Sequence, residues 1–493
     1  MKKLTFVIVP ALLAVVISGC GSTVINAHRQ KQEMMTGYMA GNHAVASAAL
    51  ADEVEDCEGS IDEVMWRLEA GSYNYITGNY DECIKHLERA EELIQEFDDR
   101  AIVSMRDVGA EGATLATNLN ALPYRGWCRD RVMIPVVKSL AYLAKGDSRG
   151  FRVETFRIRE NQVKVEENYK KFFEAEEEAL RKDKENNADA AGMINVDNLM
   201  NDSRNSDLSN SVALTKQVAH RGYGNFLNPF AIFLSGYSYA RDGDWQNAVV
   251  DFERLYKAMP NNPMIQQYYV TALKKAGRFV PLKLRKVPPF KFDIGKNNCL
   301  VIYANGRSAA LRQISLYIPI VLPGYATLAT TAWPVCEYYD SRCRFLDVTT
   351  SSETVRTGIV ADMDGILAQE YTMRLPGMIT RIVLNTAVKE VGSYFAVKAA
   401  SQADPIAGLI TFIGVSAYKA LVNTADTRTW EILPKEFQIA QIEMPADRKV
   451  TVTPEGMSPV AVNIPQEASS AVIFVNVPDN VAGAATCRVF PIK

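Results

Sequence analysis

Apolar and small residues recur with helical spacing through the first part of this 493-residue chain. The clearest pattern covers residues 225–278 and predicts two antiparallel helices followed by a third. Gly236 and Ala248 occupy positions where two helices must cross closely, and Gly243 marks the turn between them. Such a hairpin cannot bury its apolar face alone, so we expect it to stack on neighbouring helices.

This unit has the spacing of a tetratricopeptide repeat, a helix–turn–helix of about 34 residues. Earlier turn glycines at Gly41, Gly78 and Gly146 predict degenerate copies, so residues 29–283 are expected to form a repeat-like helical domain. Stacked repeats of this kind present extended binding surfaces. We therefore expect a protein partner to bind here, and the candidate contact residues are Asn228, Tyr237, Tyr239, Trp245 and Tyr268.

Residues 157–222 change in composition and predict an insertion into the helical domain. Residues 157–187 are rich in charge but keep apolar positions at helical spacing, so they predict a helix. Residues 195–210 are rich in Asn, Asp and Ser, a composition that predicts an exposed loop. For this loop we favour a solvated connection over a partner-binding arm.

Residues 284–493 begin with a proline-punctuated linker and then read as strands, two helices and further strands. This order predicts an α+β domain after a mainly α N-terminal half. The first helix, residues 364–400, should kink or break at Pro376. The second, residues 405–425, is strongly apolar, but its apolar run is shorter than a membrane span. A buried helix packed under the sheet is therefore favoured over a membrane or partner-docking helix.

The first 20 residues have the anatomy of an export signal. Lys2 and Lys3 precede an apolar run that ends in Ile17-Ser18-Gly19-Cys20, which resembles the bacterial lipobox. In such signals the peptide before the cysteine is cut off and the cysteine is acylated, for example with palmitate, so Cys20 is the predicted lipidation site. Residues 21–28 would be a tether. Gly21 occupies the position at which an aspartate retains many lipoproteins in the inner membrane. Its identity therefore favours the outer membrane, facing the periplasm, and leaves surface display open.

The net charge and the number of cysteines bear on the expected class of binding partner and on the expected disulfides. The formal net charge of −3 gives no reason to expect nucleic acid as a binding partner. Without Cys20, an odd number of cysteines remains in a compartment that permits disulfides. Cys336 and Cys343 bracket a predicted hairpin tip and are the first choice for a disulfide, although spacing does not fix the connectivity.

Charged residues flank the two helices of the α+β region: Asp362, Asp364, Arg374, Arg381, Asp426 and Arg428. They can form buried ion pairs that tie the helices to strand ends. Alternatively, they can line a pocket for an anionic or glycan ligand, in which the forked guanidinium of Arg374, Arg381 or Arg428 binds the ligand. We favour the ion pairs, because structural networks also gather charges in this way.

Signs of catalysis are sparse. All four histidines lie before the α+β region, and no HExxH, GxSxG, SxxK or phosphate-loop motif occurs. No metal, cofactor or catalytic residue is therefore predicted. A glycan-active enzyme that uses Asp362 and Asp364 is the weakest alternative, since residues two apart on a helix do not face each other.

Several short motifs resemble one uncharacterised family of bacterial lipoproteins with tetratricopeptide repeats and a C-terminal domain of unknown role. They are the lipobox, Leu122-Pro123-Tyr124-Arg125-Gly126, Asn228-Pro229-Phe230-Ala231, Tyr303-Ala304-Asn305-Gly306, Asp362-Met363-Asp364, Arg374-Leu375-Pro376 and Asp426-Thr427-Arg428-Thr429-Trp430. This chain departs from the family at Ala304, where an acidic residue is expected. The resemblance implies an envelope lipoprotein, linked to the lipoprotein activators of peptidoglycan synthases, and brings no catalytic residues.

The sequence as a whole predicts a non-enzymatic, lipid-anchored scaffold of the cell envelope. It would bind envelope proteins through its helical repeats, in cell-envelope or peptidoglycan-synthesis assembly, and the membrane through the anchor on Cys20. The alternative is a binding protein for an anionic or glycan ligand through the C-terminal domain.

Overall fold

The structure is a computed structural model that describes residues 27–106, 122–186, 196–224, 226–322, 325–421, 423–478 and 485–492. Helices fill its N-terminal half, and strands with two further helices follow. The predicted order of a mainly α half and an α+β region is therefore confirmed. Cys20 and the rest of the predicted signal peptide lie outside the described residues.

The described helices of the N-terminal half are α1 Ala27–Gln30, α2 Gln32–Met39, α3 His43–Asp56, α4 Glu63–Thr77, α5 Tyr80–Arg106, α6 Cys128–Ala144, α7 Ser148–Asn186, α8 Val196–Asn201, α9 Ser206–Ala219, α10 Pro229–Arg241, α11 Trp245–Ala258 and α12 Pro263–Lys275. The α+β region adds α13 Met363–Ala403 and α14 Pro405–Leu421. Its strands are β1 Asn298–Asn305, β2 Ala310–Leu322, β3 Tyr325–Glu337, β4 Leu346–Thr349, β5 Thr354–Arg356, β6 Gly358–Asp362, β7 Glu436–Glu443, β8 Lys449–Pro454, β9 Val460–Asn463, β10 Ser470–Val477 and β11 Thr486–Ile492.

The strands form three sheets. The largest has the order β11-β10-β1-β7-β6, with β1 parallel to β10 and the other neighbours antiparallel. A second sheet has the order β5-β4-β8-β9, and β2 and β3 form a long hairpin of their own. Alternate residues of β1 enter two different cores, as the pleat of a strand requires. Leu300 and Ile302 join the core shared with the helices, whereas Val301 and Tyr303 join the core against the second sheet.

The helical hairpin predicted at residues 225–278 is present as α10 and α11, and α12 follows it. Asn228 caps α10 and Asn262 caps α12, and each is followed by a proline in the first turn. Gly236 is required where α10 crosses α11, since a Cβ there would lie 2.9 Å from a ring carbon of Phe252. These local signals explain why this stretch reads so clearly as a repeat.

The five-stranded sheet covers the apolar face of these helices. The ring of Phe230 stacks on Phe437 of β7 with centroids 3.9 Å apart, and the Tyr268 hydroxyl donates a hydrogen bond to Gln441 of β7. The parts of the chain predicted to divide at residue 283 therefore share one hydrophobic core.

This arrangement corrects the predicted partner-binding residues. Asn228, Tyr237 and Tyr268 are fully buried and Tyr239 is nearly so, which leaves their side chains unavailable to a partner. Trp245 is partly buried, with the Lys275 ammonium 5.8 Å from its ring centre. Repeat spacing identifies residues that need a packing neighbour, but the neighbours belong to this chain: Tyr268 bonds to the sheet, and Tyr239 packs on α7.

The prediction of an exposed loop at residues 195–210 is wrong, because α8, a short 3-10 turn and the start of α9 occupy residues 196–210. Leu199 and Leu208 are buried there. The buried Asn205 side chain donates to the Tyr317 carbonyl of β2 at 2.9 Å and accepts from its N–H at 2.9 Å. A polar side chain thus takes the place of a strand partner, which composition alone does not indicate.

The break predicted at Pro376 is also absent, since α13 continues through it. Buried residues anchor the helix on both sides of the proline: Tyr371 and Leu375 before it, and Val383 and Leu384 after it. Packing on both sides offsets the loss of one backbone donor.

Candidate functional site

The second half of α13 and the whole of α14 form a feature that differs from the rest of the fold. As far as Ala387, α13 is packed into the body of the protein, and beyond that residue its exposure rises. Residues 388–403 of α13 then pair with α14, which returns the chain to residue 421. We call residues 388–421 the apolar hairpin.

Local sequence signals close this hairpin. The Asp404 carboxylate accepts a hydrogen bond from the Ile406 N–H at 2.8 Å, and Pro405 supplies the first residue of α14. Near the tip the two helices approach so closely that a Cβ on Gly408 would lie 2.1 Å from the Ser401 hydroxyl oxygen. The face of α14 that contains Gly408 therefore packs on α13.

Five large apolar residues of α14 face away from α13. Their exposed fractions are 69% for Ile406, 59% for Leu409, 62% for Ile410, 57% for Phe412 and 58% for Ile413. The prediction of a buried helix packed under the sheet is therefore wrong. Helical spacing distinguishes a face of small residues from a face of large ones, but only the fold decides which of the two is covered.

At 100° per residue, these five side chains span an arc of about 160° around α14. The sequence of α14 contains one charged residue, Lys419, which lies in its last turn. Phe395 on α13 adds another exposed ring, with 56% of its surface accessible. Soluble monomers rarely expose contiguous apolar surface of this kind unless it binds something.

None of the described helices is long and apolar enough to cross a membrane. With 17 residues, α14 has a length of about 25 Å at 1.5 Å per residue.

The base of the apolar hairpin lies beside the first described residues. Asn423 follows α14 and pairs with β3, accepting from the Ala332 N–H at 2.6 Å and donating to the Thr330 carbonyl at 3.2 Å. Four residues later, the Thr427 hydroxyl accepts from the backbone N–H of His28 at 3.2 Å. The chain that leaves the hairpin therefore touches α1 almost at once.

A buried charge cluster fixes this contact. Lys31 donates to Glu69 at 2.7 Å and to the Thr429 carbonyl, and it lies 3.8 Å from Glu431. Burial raises the pKa of Glu69, although Lys31 opposes the rise. Burial would also raise the pKa of Glu431, but Lys31, followed by His28, outweighs it and lowers that pKa. The Glu69 carboxylate also accepts from the N–H groups of Glu431 and Ile432, at 2.7 and 3.0 Å.

Arg428 belongs to the same segment and is 98% covered, with 2% of its surface exposed. Its guanidinium pairs with Asp426 at 2.8 Å and with Asp62 at 3.1 Å. Burial by itself would raise the pKa of Asp426, but Arg428 outweighs it and lowers that pKa. Two partnered carboxylates and the lack of exposure leave no room for an anionic ligand at this arginine.

The other two arginine candidates lie on α13. Arg374 pairs with the buried Glu370 and lies 4.4 Å above the ring of Trp127. Arg381 is half-buried, within the part of α13 that precedes the apolar hairpin. Arg374 also helps to lower the pKa of Asp426, so it lies near Arg428, but each guanidinium is already paired with a carboxylate, which disfavours the predicted site for an anionic ligand.

The two aspartates at the start of α13 also serve different partners. Asp362 caps the helix by accepting from the Gly365 N–H at 2.9 Å, and it pairs with Arg221 at 3.2 Å. Asp364 is buried, pairs with Lys435 at 2.6 Å and accepts from a backbone N–H. Burial raises its pKa, with Lys435 opposing the rise. The carboxylates do not face each other across a cleft, as acid–base work on a glycan requires.

The predicted disulfide between Cys336 and Cys343 is not formed, and the described cysteines are all free thiols. The physical reason is that the two side chains enter different cores. Cys336 joins the core shared with the helices, whereas Cys343 joins the core of the second sheet and donates to the Glu455 carbonyl at 3.2 Å.

A cleft of about 690 Å³ opens beside α1 and α2. Its polar lining includes His28, which lies 3.4 Å from Glu431 and 3.6 Å from Glu337, and Arg307, which lies over the Tyr339 ring. His28 lies at the end of the predicted tether, and its sequence neighbours give no sign of this contact. Its partners lie about 300 and 400 positions away, and no local pattern reports such a separation.

Comparisons with protein-family models, with curated proteins and with solved structures found no match to this chain.

Proposed function

We propose that this protein is a lipid-anchored scaffold of the cell envelope whose interaction surface is the apolar hairpin, not the inner face of its helical repeats. The observation that carries the proposal is the exposure of five neighbouring large apolar side chains on α14, each more than half accessible. Leaving such a surface in water is unfavourable by roughly 25 cal/mol per Å², so a binding partner that covers it gains directly.

Two further observations support this choice of surface. The sheet already covers the apolar face of α10 and α12, through the Phe230–Phe437 stack and the Tyr268–Gln441 hydrogen bond. The lipobox at Cys20 and the resemblance to envelope lipoproteins support an outer-membrane address facing the periplasm. Assembly of the envelope, including peptidoglycan synthesis, is the process that this address and resemblance suggest.

The proposal is tested by light-activated crosslinking in growing cells. A benzophenone amino acid replaces Leu409 in the apolar hairpin, and in a second strain it replaces Phe279, a loop residue that is 99% exposed. We expect envelope adducts at position 409 well above those at position 279, and their loss when Cys20→Ala prevents lipidation. Equal adduct yields at the two positions would show that the hairpin is no more of an interaction surface than any exposed loop.

A further inference from the structure

We infer that the apolar hairpin binds the lipid bilayer itself, lying in the interface with the exposed face of α14 turned towards the acyl chains. This inference rests on the proposed function and names the chemistry of its partner. The position, the shape and the charge of the hairpin all favour a bilayer.

The position follows from the length of the tether. Cys20 and Ala27 are seven residues apart, and an extended chain spans at most about 3.6 Å per residue, so Ala27 lies within about 25 Å of an acylated Cys20. His28 contacts Thr427, which follows the hairpin base by a few residues. Six residues, at most about 22 Å of extended chain, separate Thr427 from the end of the hairpin at residue 421, so the predicted anchor and the apolar hairpin leave the body near one another. Because α14 is about as long as the tether can reach, the hairpin can touch the membrane that holds the anchor.

The polar tip of the hairpin decides its orientation. Gln402 and Asp404, at the turn between the helices, are exposed. A hairpin that entered the bilayer end-on would carry the Asp404 carboxylate into hydrocarbon, which is costly. A hairpin that lies along the surface leaves this carboxylate among the headgroups and buries the side chains of α14. Interfacial helices bind in this manner.

The width of the apolar arc favours lipid over a second copy of the chain. A helix seam between two copies uses a narrow stripe, and the flanks of a 160° arc would remain in water. Acyl chains, in contrast, conform to any convex apolar face. The arc carries five large side chains and no charged group, so it offers a protein partner no ion pair that would fix its register.

The test isolates the hairpin from the acyl anchor. A chain of residues 21–493, which contains every described residue, is produced without acylation and mixed with vesicles of phosphatidylethanolamine and phosphatidylglycerol. The variant Ile406→Asn/Ile410→Asn/Ile413→Asn removes apolar surface from the hairpin. The matched control, Val163→Asn/Val250→Asn/Phe279→Asn, removes it from other exposed sites.

We expect the unmodified chain to float with the vesicles and the hairpin variant to lose about tenfold or more in partitioning. The control should stay within about twofold. Binding by insertion should also survive 0.5 M salt, which screens surface charges within about 4 Å. Urea midpoints of all three chains establish that the variants are folded.

Other outcomes overturn the inference in distinguishable ways. If vesicles bind neither chain but position 409 still crosslinks to a protein in cells, the interaction surface stands and the bilayer is the wrong partner. If the unmodified chain forms dimers that the hairpin variant cannot form, and vesicles do not compete with them, a second copy is the partner. If neither lipid nor protein adducts form, both the inference and the proposed function fall.

Discussion

Removing the Lys31 charge should destabilise the protein far more than removing a surface lysine. Lys31 is fully buried and neutralises Glu69, 2.7 Å away, and Glu431, 3.8 Å away. In Lys31→Met the side chain keeps its apolar stem, but two buried carboxylates lose their shared cation. Breaking a buried pair by removing one partner costs about 3–5 kcal/mol.

The matched control is Lys85→Met. The Lys85 ammonium pairs with Glu82 at 3.2 Å on the surface of α5, where 70% of the lysine side chain is exposed. Exposed pairs contribute about 0–1 kcal/mol, so this change should shift the free energy of unfolding little. The double variant Lys31→Met/Glu69→Gln should recover part of the loss, because it removes a carboxylate together with its cation.

The measurement is a urea titration followed by tryptophan fluorescence, since Trp66 and Trp430 are buried close to the cluster in sequence and report its exposure. We expect a clearly lower midpoint for Lys31→Met than for Lys85→Met. Indistinguishable midpoints would refute the argument that this cluster fastens the segment after the apolar hairpin to the helical half.

Three further predictions concern stability. Burial, with Arg67 adding to it, lowers the pKa of His86 to about 4, so the unfolded chain takes up the proton first as the pH falls. The free energy of unfolding should therefore fall by about 3 kcal/mol between pH 6.5 and 4. His86→Asn should flatten this part of the profile of stability against pH. Asn205→Ala should cost about 1–3 kcal/mol in a urea titration, because the Tyr317 backbone groups lose their partner, whereas Asn205→Asp should restore only the acceptor. Phe437→Ala should cost about 3–5 kcal/mol by removing the ring that stacks on the helical half, and a cost near zero would contradict the shared core.

The spacing of apolar residues and the capping and turn residues determine how much of the fold can be predicted. Helices α10 to α12 and most strands of the α+β region follow from spacing, from caps such as Asn228 and Asn262, and from turns such as the one at Gly243. These signals are local, so one sequence contains them. Strands β5, β6 and β11 are not predicted by the sequence pattern, because β5 has only three residues and the other two lie at the edges of their sheet.

The candidate site required information that no local pattern carries. Ile406, Leu409 and Ile413 fit a buried helix as well as an exposed one, since periodicity identifies an apolar face and not its neighbour. The asymmetry between these residues and the small Ala407 and Gly408 was nevertheless readable, and it indicates that the small face packs on α13. The ion pair between Arg428 and Asp62 joins residues 366 positions apart, which spacing could not reveal.

Depth-dependent fluorescence quenching tests the central claim most directly. The lipidated chain is placed in vesicles whose lipids carry bromine near the top of the acyl chains, with Phe412→Trp in one sample and Phe279→Trp in the other. The unmodified chain supplies the background of the native tryptophans. We predict strong bromine quenching of the tryptophan at position 412 and none at position 279. Equal quenching at both positions, or none at position 412, would contradict the claim that the apolar hairpin lies in the bilayer.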